Sequence, residues 1–124
     1  MKKDNVIVNK SMAFAIRIVN LYKYLVKNRS EYVLSKQLLR SGTSIGANVR
    51  ESVCAQSRAD FNSKMYIALK EANETVYWLE LLEQTEYLTP MQGKSMLDDC
   101  NELIKILSSI TNTTKNSSFL TPNS

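Results

Sequence analysis

The side chains best suited to chemistry form a polar stripe along one stretch of the chain, and two glutamates follow further on. The stripe repeats every three or four residues, the spacing of one helix face, and consists of Gln37, Arg40, Ser44, Asn48 and Glu51. Glu71 and Glu74 are three residues apart and are predicted to face Arg40 or Asn48. An arginine that pairs with a carboxylate where two helices meet forms a bidentate interaction. Loss of one partner leaves the other as an unpaired, partly buried charge. We therefore interpret this group as a structural network in preference to a catalytic one.

The 124-residue chain contains no histidine. This excludes Ser-His-Asp and Cys-His nucleophile systems, His-ligated zinc or haem, and the Glu-x-x-His pairs of di-iron bundles. Cys54 and Cys100 form no C-x-x-C pair; one disulfide is open in principle, but two reduced cysteines on helices are favoured. No other nucleophile or acid lies in a motif that would activate it. The sequence therefore predicts no enzyme, no metal and no cofactor.

Basic residues are concentrated in the first part of the chain. Residues 1–50 carry +8 and residues 51–124 carry −4, within a net charge of +4. Cations with aromatics nearby suit phosphate contact and base stacking, and Tyr22, Tyr24 and Tyr32 are interleaved here, although Tyr22 also fits a core position. Solvated charge or pairing between copies explains the asymmetry equally well. The candidate nucleic-acid contacts are Lys10, Arg17, Lys23, Lys27, Arg29, Lys36 and Arg40.

Two segments with helical periodicity carry these cations. The first is predicted from about Asn9 to Asn28. Its apolar stripe runs through Met12, Ala15, Ile16, Val19, Tyr22 and Val26 and is widened by Phe14, Ile18, Leu21 and Leu25, so this face needs more than one neighbouring helix. The second is predicted to begin at Ser35 as N-cap, with Leu34 and Leu39 as a hydrophobic staple, and to end near Cys54.

Two further helices carry the acidic half. A serine cap at Ser57, with Asp60 three residues on, begins the third helix, and Thr89-Pro90-Met91-Gln92 is a capping box that begins the fourth. The third helix has a heptad-like seam: Phe61, Met65, Ala68, Ala72, Thr75, Leu79 and Leu82. The fourth has an apolar face of Met96, Leu97, Cys100, Leu103, Ile104, Leu107 and Ile110.

Short connections between these helices determine the predicted topology. Helices of about 20 residues span roughly 30 Å, which such connections cannot cross, so successive helices are antiparallel. The sequence predicts an all-α, up-down-up-down four-helix bundle over residues 9–111, with an N-terminal lead-in at 1–8 and a flexible polar tail at 112–124. We expect a cytoplasmic protein, because no apolar run approaches the ~18 residues of a membrane span and no signal peptide is present.

Two glycines lie inside the second predicted helix. Each costs about 1 kcal/mol of helix stability relative to alanine, so a compensating contact is expected. Gly42 and Gly46 are four residues apart and would let another backbone approach closely. Packing inside the bundle is the favoured explanation, and a contact between subunits is the alternative.

The second and third helices resemble one known family. The residues that carry the resemblance are 37–41 (QLLRS), 44–51 (SIGANVRE), Asp60-Phe61, 68–75 (ALKEANET) and 77–82 (YWLELL). Over roughly residues 10–110 the chain looks like the four helix bundle proteins, also called 23S rRNA intervening-sequence proteins. It departs from them at Ser52, where glycine is usual, and at Arg50, where the family favours a small apolar residue.

The resemblance implies an antiparallel bundle that forms a homopentamer and has no enzymatic activity. Some members are encoded within ribosomal RNA genes, and related accessory proteins of bacterial diversity-generating retroelements bind nucleic acid and contact a reverse transcriptase. The family's polar positions match Arg40, Ser44, Asn48, Glu51 and Glu74. We expect interface or structural roles for these residues and for Gly42, Gly46 and Glu71.

These observations favour a non-enzymatic oligomer that binds RNA, or an RNA–protein complex, through the basic surface of its first two helices. The alternative is a scaffold oligomer whose partner is a protein such as a reverse transcriptase.

Overall fold

Four helices joined by connections of four or five residues make up the structure. The computed structural model describes residues 2–119, with side chains described for residues 6–112. The helices are α1 (Lys2–Arg29), α2 (Leu34–Val53), α3 (Arg58–Gln84) and α4 (Pro90–Phe119). α2 packs against α1 and α3, and α4 packs against α3 and less extensively against α1. The predicted all-α, antiparallel up-down-up-down bundle is confirmed.

The first helix differs from its prediction in its start and in its core face. It begins at Lys2, well before Asn9, and its buried apolar residues are Ile7, Phe14, Ile18 and Leu25. Met12 and Ile16, which belong to the predicted apolar stripe, are 46% and 55% exposed. Phe14, Ile18 and Leu25 belong to the predicted apolar face, but only as residues that widen its central stripe. Periodicity alone does not identify the side of so broad a face that the other helices cover.

The start of α2 is capped from an unexpected position. Its N-cap is Val33, which makes no side-chain capping bond. The carboxylate of Glu31 accepts hydrogen bonds from the N–H groups of Val33, Leu34 and Ser35, at 3.3, 3.1 and 2.6 Å. The prediction of Ser35 as N-cap was wrong, because the longer glutamate side chain reaches these N–H groups first. The predicted hydrophobic staple was wrong for the same reason, because it places Leu34 before the N-cap and Leu34 is the first residue of the helix. Leu34 and Leu39 are half-buried and pack against the core.

The predicted caps of the last two helices are confirmed. The Ser57 hydroxyl accepts the N–H of Asp60 at 3.1 Å. The Thr89 hydroxyl accepts the N–H of Gln92 at 3.1 Å, and the Gln92 side-chain oxygen accepts the N–H of Thr89 at 2.9 Å. Each bond satisfies an N–H that the helix itself leaves unpaired.

The C-terminal helix runs further than expected. α4 continues to Phe119, through the first part of the predicted polar tail. Thr111, at the predicted boundary, is 1% exposed, so the packed part of the helix includes it. The remainder of the predicted tail, residues 120–124, lies outside the described residues.

The core follows the predicted seams of α3 and α4 closely. Of the α3 seam, Phe61 is half-buried, and the buried members are Met65, Ala68, Ala72, Thr75, Leu79 and Leu82. From α4 the core receives Met96, Cys100, Leu103, Leu107 and Ile110. Alanines alternating with larger side chains allow α3 to lie close to its neighbours.

The two glycines of α2 face α1 within the same chain. A Cβ at Gly42 would lie 2.7 Å from the fully buried side chain of Ile18, and one at Gly46 would lie 3.3 Å from the Ser11 carbonyl oxygen. Glycine at these positions therefore lets α1 and α2 approach closely. This contact supplies the expected compensation for glycine in a helix.

Candidate nucleic-acid interface

Arg40 joins α2 to α3 through both predicted glutamates. One guanidinium nitrogen lies 3.2 and 3.3 Å from the two carboxylate oxygens of Glu71, and the other hydrogen bonds Glu74. The indole N–H of Trp78 donates to Glu74 at 2.9 Å. That indole and Arg40 together lower the pKa of Glu74. Both terminal nitrogens of the Arg40 guanidinium are therefore bonded to glutamates of the same chain.

A buried hydrogen bond backs this network. The hydroxyl groups of Ser41 and Thr75 lie 2.9 Å apart, and both residues are fully buried. Each hydroxyl also lies near a carbonyl of its own helix, so the polar atoms are satisfied. Small hydroxyl residues thus let α2 and α3 pack closely without leaving an unpaired polar group.

Three other members of the polar stripe make contacts within α2 or with α3, and Gln37 is exposed. The Ser44 hydroxyl donates to the Arg40 carbonyl at 2.6 Å, and the Asn48 amide donates to the Ser44 carbonyl at 2.9 Å. Glu51 pairs with Lys64 of α3 at 3.1 Å and raises the pKa of that lysine. These contacts support structural roles for the stripe.

Three more of the predicted nucleic-acid contacts have partners on or next to α4. Lys10 pairs with Glu102 at 3.3 Å and Arg17 pairs with Asp99 at 2.6 Å. Arg29 donates to the Tyr87 carbonyl at 3.1 Å, and its guanidinium carbon lies 5.5 Å from the centre of the Tyr87 ring. These cations bridge the seam between α1 and the α4 side of the bundle.

Three predicted contacts remain without an ion pair among the described residues. Lys23 and Lys27 lie one turn apart near the end of α1, and Lys36 lies in the first turn of α2; all are exposed. They lie at the end of the bundle where α1 ends and α2 begins, and we call this region the basic corner. Glu31 is the only acid between residues 21 and 50, and it is 7% exposed, with its carboxylate turned onto the α2 N-terminus. This corner therefore carries exposed positive charge without an ion pair among the described residues, as does Arg50 near the other end of α2.

The three tyrosines near these lysines have different surroundings. Tyr22 is half-buried. Gln92 and Arg29 hydrogen bond the Tyr24 hydroxyl and lower its pKa. Tyr32, in the connection between α1 and α2, is 54% exposed. Tyr32 is therefore the accessible aromatic at the basic corner.

Glu31 is the functional residue that sequence reasoning missed. Burial raises its pKa, but the N–H groups of Ser35, Leu34 and Val33 and the Ser35 hydroxyl outweigh that effect and lower it. A carboxylate three residues before a helix is outside the capping-box spacing. The signal available was its position as the lone acid in a basic stretch.

The cysteines are not joined in the structure. Cys54 is exposed and Cys100 is buried, and both are free. Burial, with Asp99 nearby, raises the pKa of Cys100 to about 12, so this thiol is protonated at neutral pH. Within residues 6–112 the structure brings together no three cysteines or acids able to hold a metal ion.

A crystal structure of a bacterial protein is closely similar to this chain. It is described as a protein with unknown function from the S23 ribosomal protein family of Bacteroides thetaiotaomicron VPI-5482, at 1.70 Å resolution. It shares 63% sequence identity with a TM-score of 0.88, over 89% of this chain and 98% of its own. No curated protein matches the chain significantly. None of the four helices, over the part described, combines the length and apolarity of a membrane span.

The sequence as a whole matches the pattern of one known family. The pattern of the 23S rRNA-intervening sequence proteins matches residues 3–109, which contain all the residues of the hydrophobic core except Ile110. The match spans most of the chain, and the fold agrees with that of the similar crystal structure. The chain therefore belongs to the 23S rRNA-intervening sequence protein family.

Proposed function

We propose that this protein is a non-enzymatic, oligomeric bundle of the bacterial cytoplasm that binds RNA at the corner formed by the end of α1 and the start of α2. The observation that carries the proposal is the exposed group of Lys23, Lys27 and Lys36, none of them in an ion pair among the described residues. The adjacent acid, Glu31, is turned inward. Exposed cations without an ion pair attract phosphates. The name of the family points to RNA as the polyanion.

Filter binding across a salt series tests this proposal. Phosphate contacts require an affinity that falls steeply as salt rises. Reversing charge with Lys23→Glu and Lys27→Glu should weaken binding to a transcript of 23S rRNA by at least about tenfold at low salt. The matched control reverses Lys70 and Lys105, which are exposed on α3 and α4. Absence of binding to RNA by the unaltered protein at low salt would contradict the proposal.

The proposed oligomer uses the outer apolar face of α1. Met12 and Ile16 are exposed, and they lie one turn apart. A groove of about 280 Å³ between α1 and α2 adjoins this face, with a lining of Val8, Ser11, Met12, Ala15, Thr43, Gly46, Ala47 and Arg50. An exposed apolar face of this kind is typical of a surface that is covered in an assembly. A homopentamer is the assembly that the family resemblance implies.

Light scattering tests the oligomer directly. Ile16→Glu should dissociate the assembly into monomers, because a charge would be buried at the interface. Ile67→Glu is the control, since Ile67 is an exposed apolar residue of α3, 38% accessible. A wild-type monomer at high concentration would contradict this part of the proposal.

If charge reversal at Lys23 and Lys27 left cellular function intact, a scaffold that binds a protein would be favoured instead.

A further inference from the structure

We infer that the RNA bound at the basic corner is single-stranded, with an unpaired base stacked on Tyr32 and the neighbouring phosphates on Lys27 and Lys36. This inference rests on the proposed RNA-binding function and specifies the kind of RNA. Three features of the corner support it: an accessible ring, a connection held in place by hydrogen bonds, and cations on both sides.

The ring of Tyr32 is available to a ligand. It is 54% exposed and makes no hydrogen bond or ring contact with the described residues, whereas Tyr24 is held by Gln92 and Arg29. Val33, beside it, is 70% exposed and extends the apolar surface. A flat aromatic next to an aliphatic side chain can stack a base of any identity, because every base presents a π-face.

The connection that carries Tyr32 is held by hydrogen bonds on either side of it. Ser30 adopts a left-handed conformation with φ of 53°, and the N–H of Glu31 donates to the Leu25 carbonyl at 3.0 Å. The carboxylate of Glu31 accepts the N–H of Val33 at 3.3 Å. The residues before and after Tyr32 are therefore fixed, which lowers the entropy that a ligand must remove to use the ring.

Lysines lie on both sides of the ring along the chain. Lys27 lies in the last turn of α1 and Lys36 in the first turn of α2, and the connection between these helices has four residues. Lys23, one turn before Lys27, continues the positive charge along α1. Because Glu31 faces inward, its carboxylate does not compete for the phosphates. The arrangement provides an aromatic platform between cations, as single-strand binding requires.

Duplex RNA cannot use this platform. In an A-form helix the faces of the bases are stacked on one another, so an aromatic side chain can contact only bases that are splayed out in loops, bulges or ends. A duplex would still be attracted by the lysines. The inference therefore predicts that Tyr32 contributes to binding of single strands and not to binding of duplexes.

Fluorescence anisotropy with two probes tests the inference. The probes are a labelled single-stranded RNA of about twelve nucleotides and the same strand annealed to its complement. Tyr32→Ala should raise Kd for the single strand by at least about fivefold, while Tyr32→Phe should change it by less than about twofold. Kd for the duplex should be unchanged by either substitution. Tyr77→Ala is the control, since Tyr77 is 56% exposed on α3.

The salt dependence separates stacking from charge. Tyr32→Ala should weaken binding at every salt concentration without changing the slope of log K against log salt, because the ring releases no counterion. Lys27→Ala and Lys36→Ala should each reduce that slope by about 0.7 for the single strand. A reduced slope for Tyr32→Ala would mean that the corner had rearranged, and it would count against the inference.

The outcomes distinguish the two proposals. If the protein binds single strand and duplex with equal affinity, and if Tyr32→Ala has no effect, the stacking inference is overturned and the proposal of RNA binding still stands. Absence of binding to both probes at low salt overturns both. Circular dichroism of each variant should match the wild type, since Tyr32 makes no packing contact that its loss would remove from the core.

Discussion

The first helix meets its two neighbours in different ways. Towards α2 it packs so closely that a Cβ at Gly42 would lie 2.7 Å from Ile18, and the groove of about 280 Å³ between these helices lies further along, beside Gly46. Towards α4 it leaves a groove of about 430 Å³, next to the pair formed by Arg17 and Asp99. Lys10 and Glu102 span the same α1–α4 seam, and both side chains are about half exposed, at 44% and 52%.

The difference separates two ways of holding helices together. The α1–α2 seam depends on steric fit between buried groups, where small changes in volume have large energetic effects. The α1–α4 seam depends on charged pairs in contact with water, and exposed pairs contribute little each. We therefore expect substitutions at the first seam to be costly and substitutions at the second to be mild.

Gly42→Ala should have the largest effect. The new methyl group would overlap three atoms of Ile18, which is fully buried and cannot move aside without displacing α1. We expect a net loss of about 2 kcal/mol in the free energy of unfolding, after the gain in helix propensity. Urea denaturation measures it.

Gly93→Ala is the matched control for that substitution. Its Cβ would meet the carboxylate end of Glu83, a flexible side chain that can rotate away. The gain in helix propensity should therefore dominate, with a stabilisation of up to about 1 kcal/mol. Destabilisation of equal size at both glycines would contradict the steric account of the α1–α2 seam.

Glu31→Gln tests the joint between α1 and α2 and should have the next largest effect. The carboxylate accepts three N–H groups at the start of α2, and an amide nitrogen cannot replace one of its oxygens. We expect a loss of about 1 kcal/mol at pH 7, similar to other cap deletions. Urea denaturation of both proteins at several pH values measures it.

The pH dependence of that loss follows from the pKa of Glu31, which is lowered in the folded state. Its stabilisation is fully present above the ordinary glutamate pKa of about 4.3 and is lost as the pH falls through the folded-state pKa. The difference between wild type and Glu31→Gln should therefore shrink at acid pH. A difference that stays constant between neutral and acid pH would show that charge is not the cause.

Several features of the fold were predictable from local signals, although the equally local prediction of Ser35 as N-cap was wrong. The caps at Ser57 and Thr89 depend on residues three apart, and both are as predicted. Antiparallel helices with a short connection predicted that Glu71 and Glu74 face Arg40 or Asn48, and the structure pairs them with Arg40. These features require no knowledge of the rest of the bundle.

The remaining features depend on how distant helices pack. α1 has two apolar sides, and only the position of its neighbours decides that Ile18 is buried and Ile16 exposed. Arg17 was predicted as a nucleic-acid contact, but its partner Asp99 lies 82 residues away. No local pattern reveals such pairs, so the basic corner could be distinguished from the paired cations only in the structure.

Arg17→Ala should have a smaller effect than the changes at the α1–α2 joint. Arg17 bonds Asp99 and both the carbonyl and the hydroxyl of Ser95, at 3.3 and 2.9 Å, which makes it the most extensively bonded cation of the α1–α4 seam. Since the pair is exposed, we expect a loss of about 0.5 kcal/mol. Its coupling with Asp99, measured by a double-mutant cycle with Asp99→Ala, should account for most of it.

Lys10→Ala should have the smallest effect, about 0.2 kcal/mol, because Lys10 is bonded only to the exposed Glu102 among the described residues. That loss should vanish in 1 M salt, where the screening length is about 3 Å, whereas the cost of Gly42→Ala should persist because steric overlap is not screened. Urea denaturation of both variants at low and high salt measures the contrast. If the cost of Gly42→Ala also fell with salt, the α1–α2 seam would depend on charge after all, and the distinction between the two sides of α1 would fail.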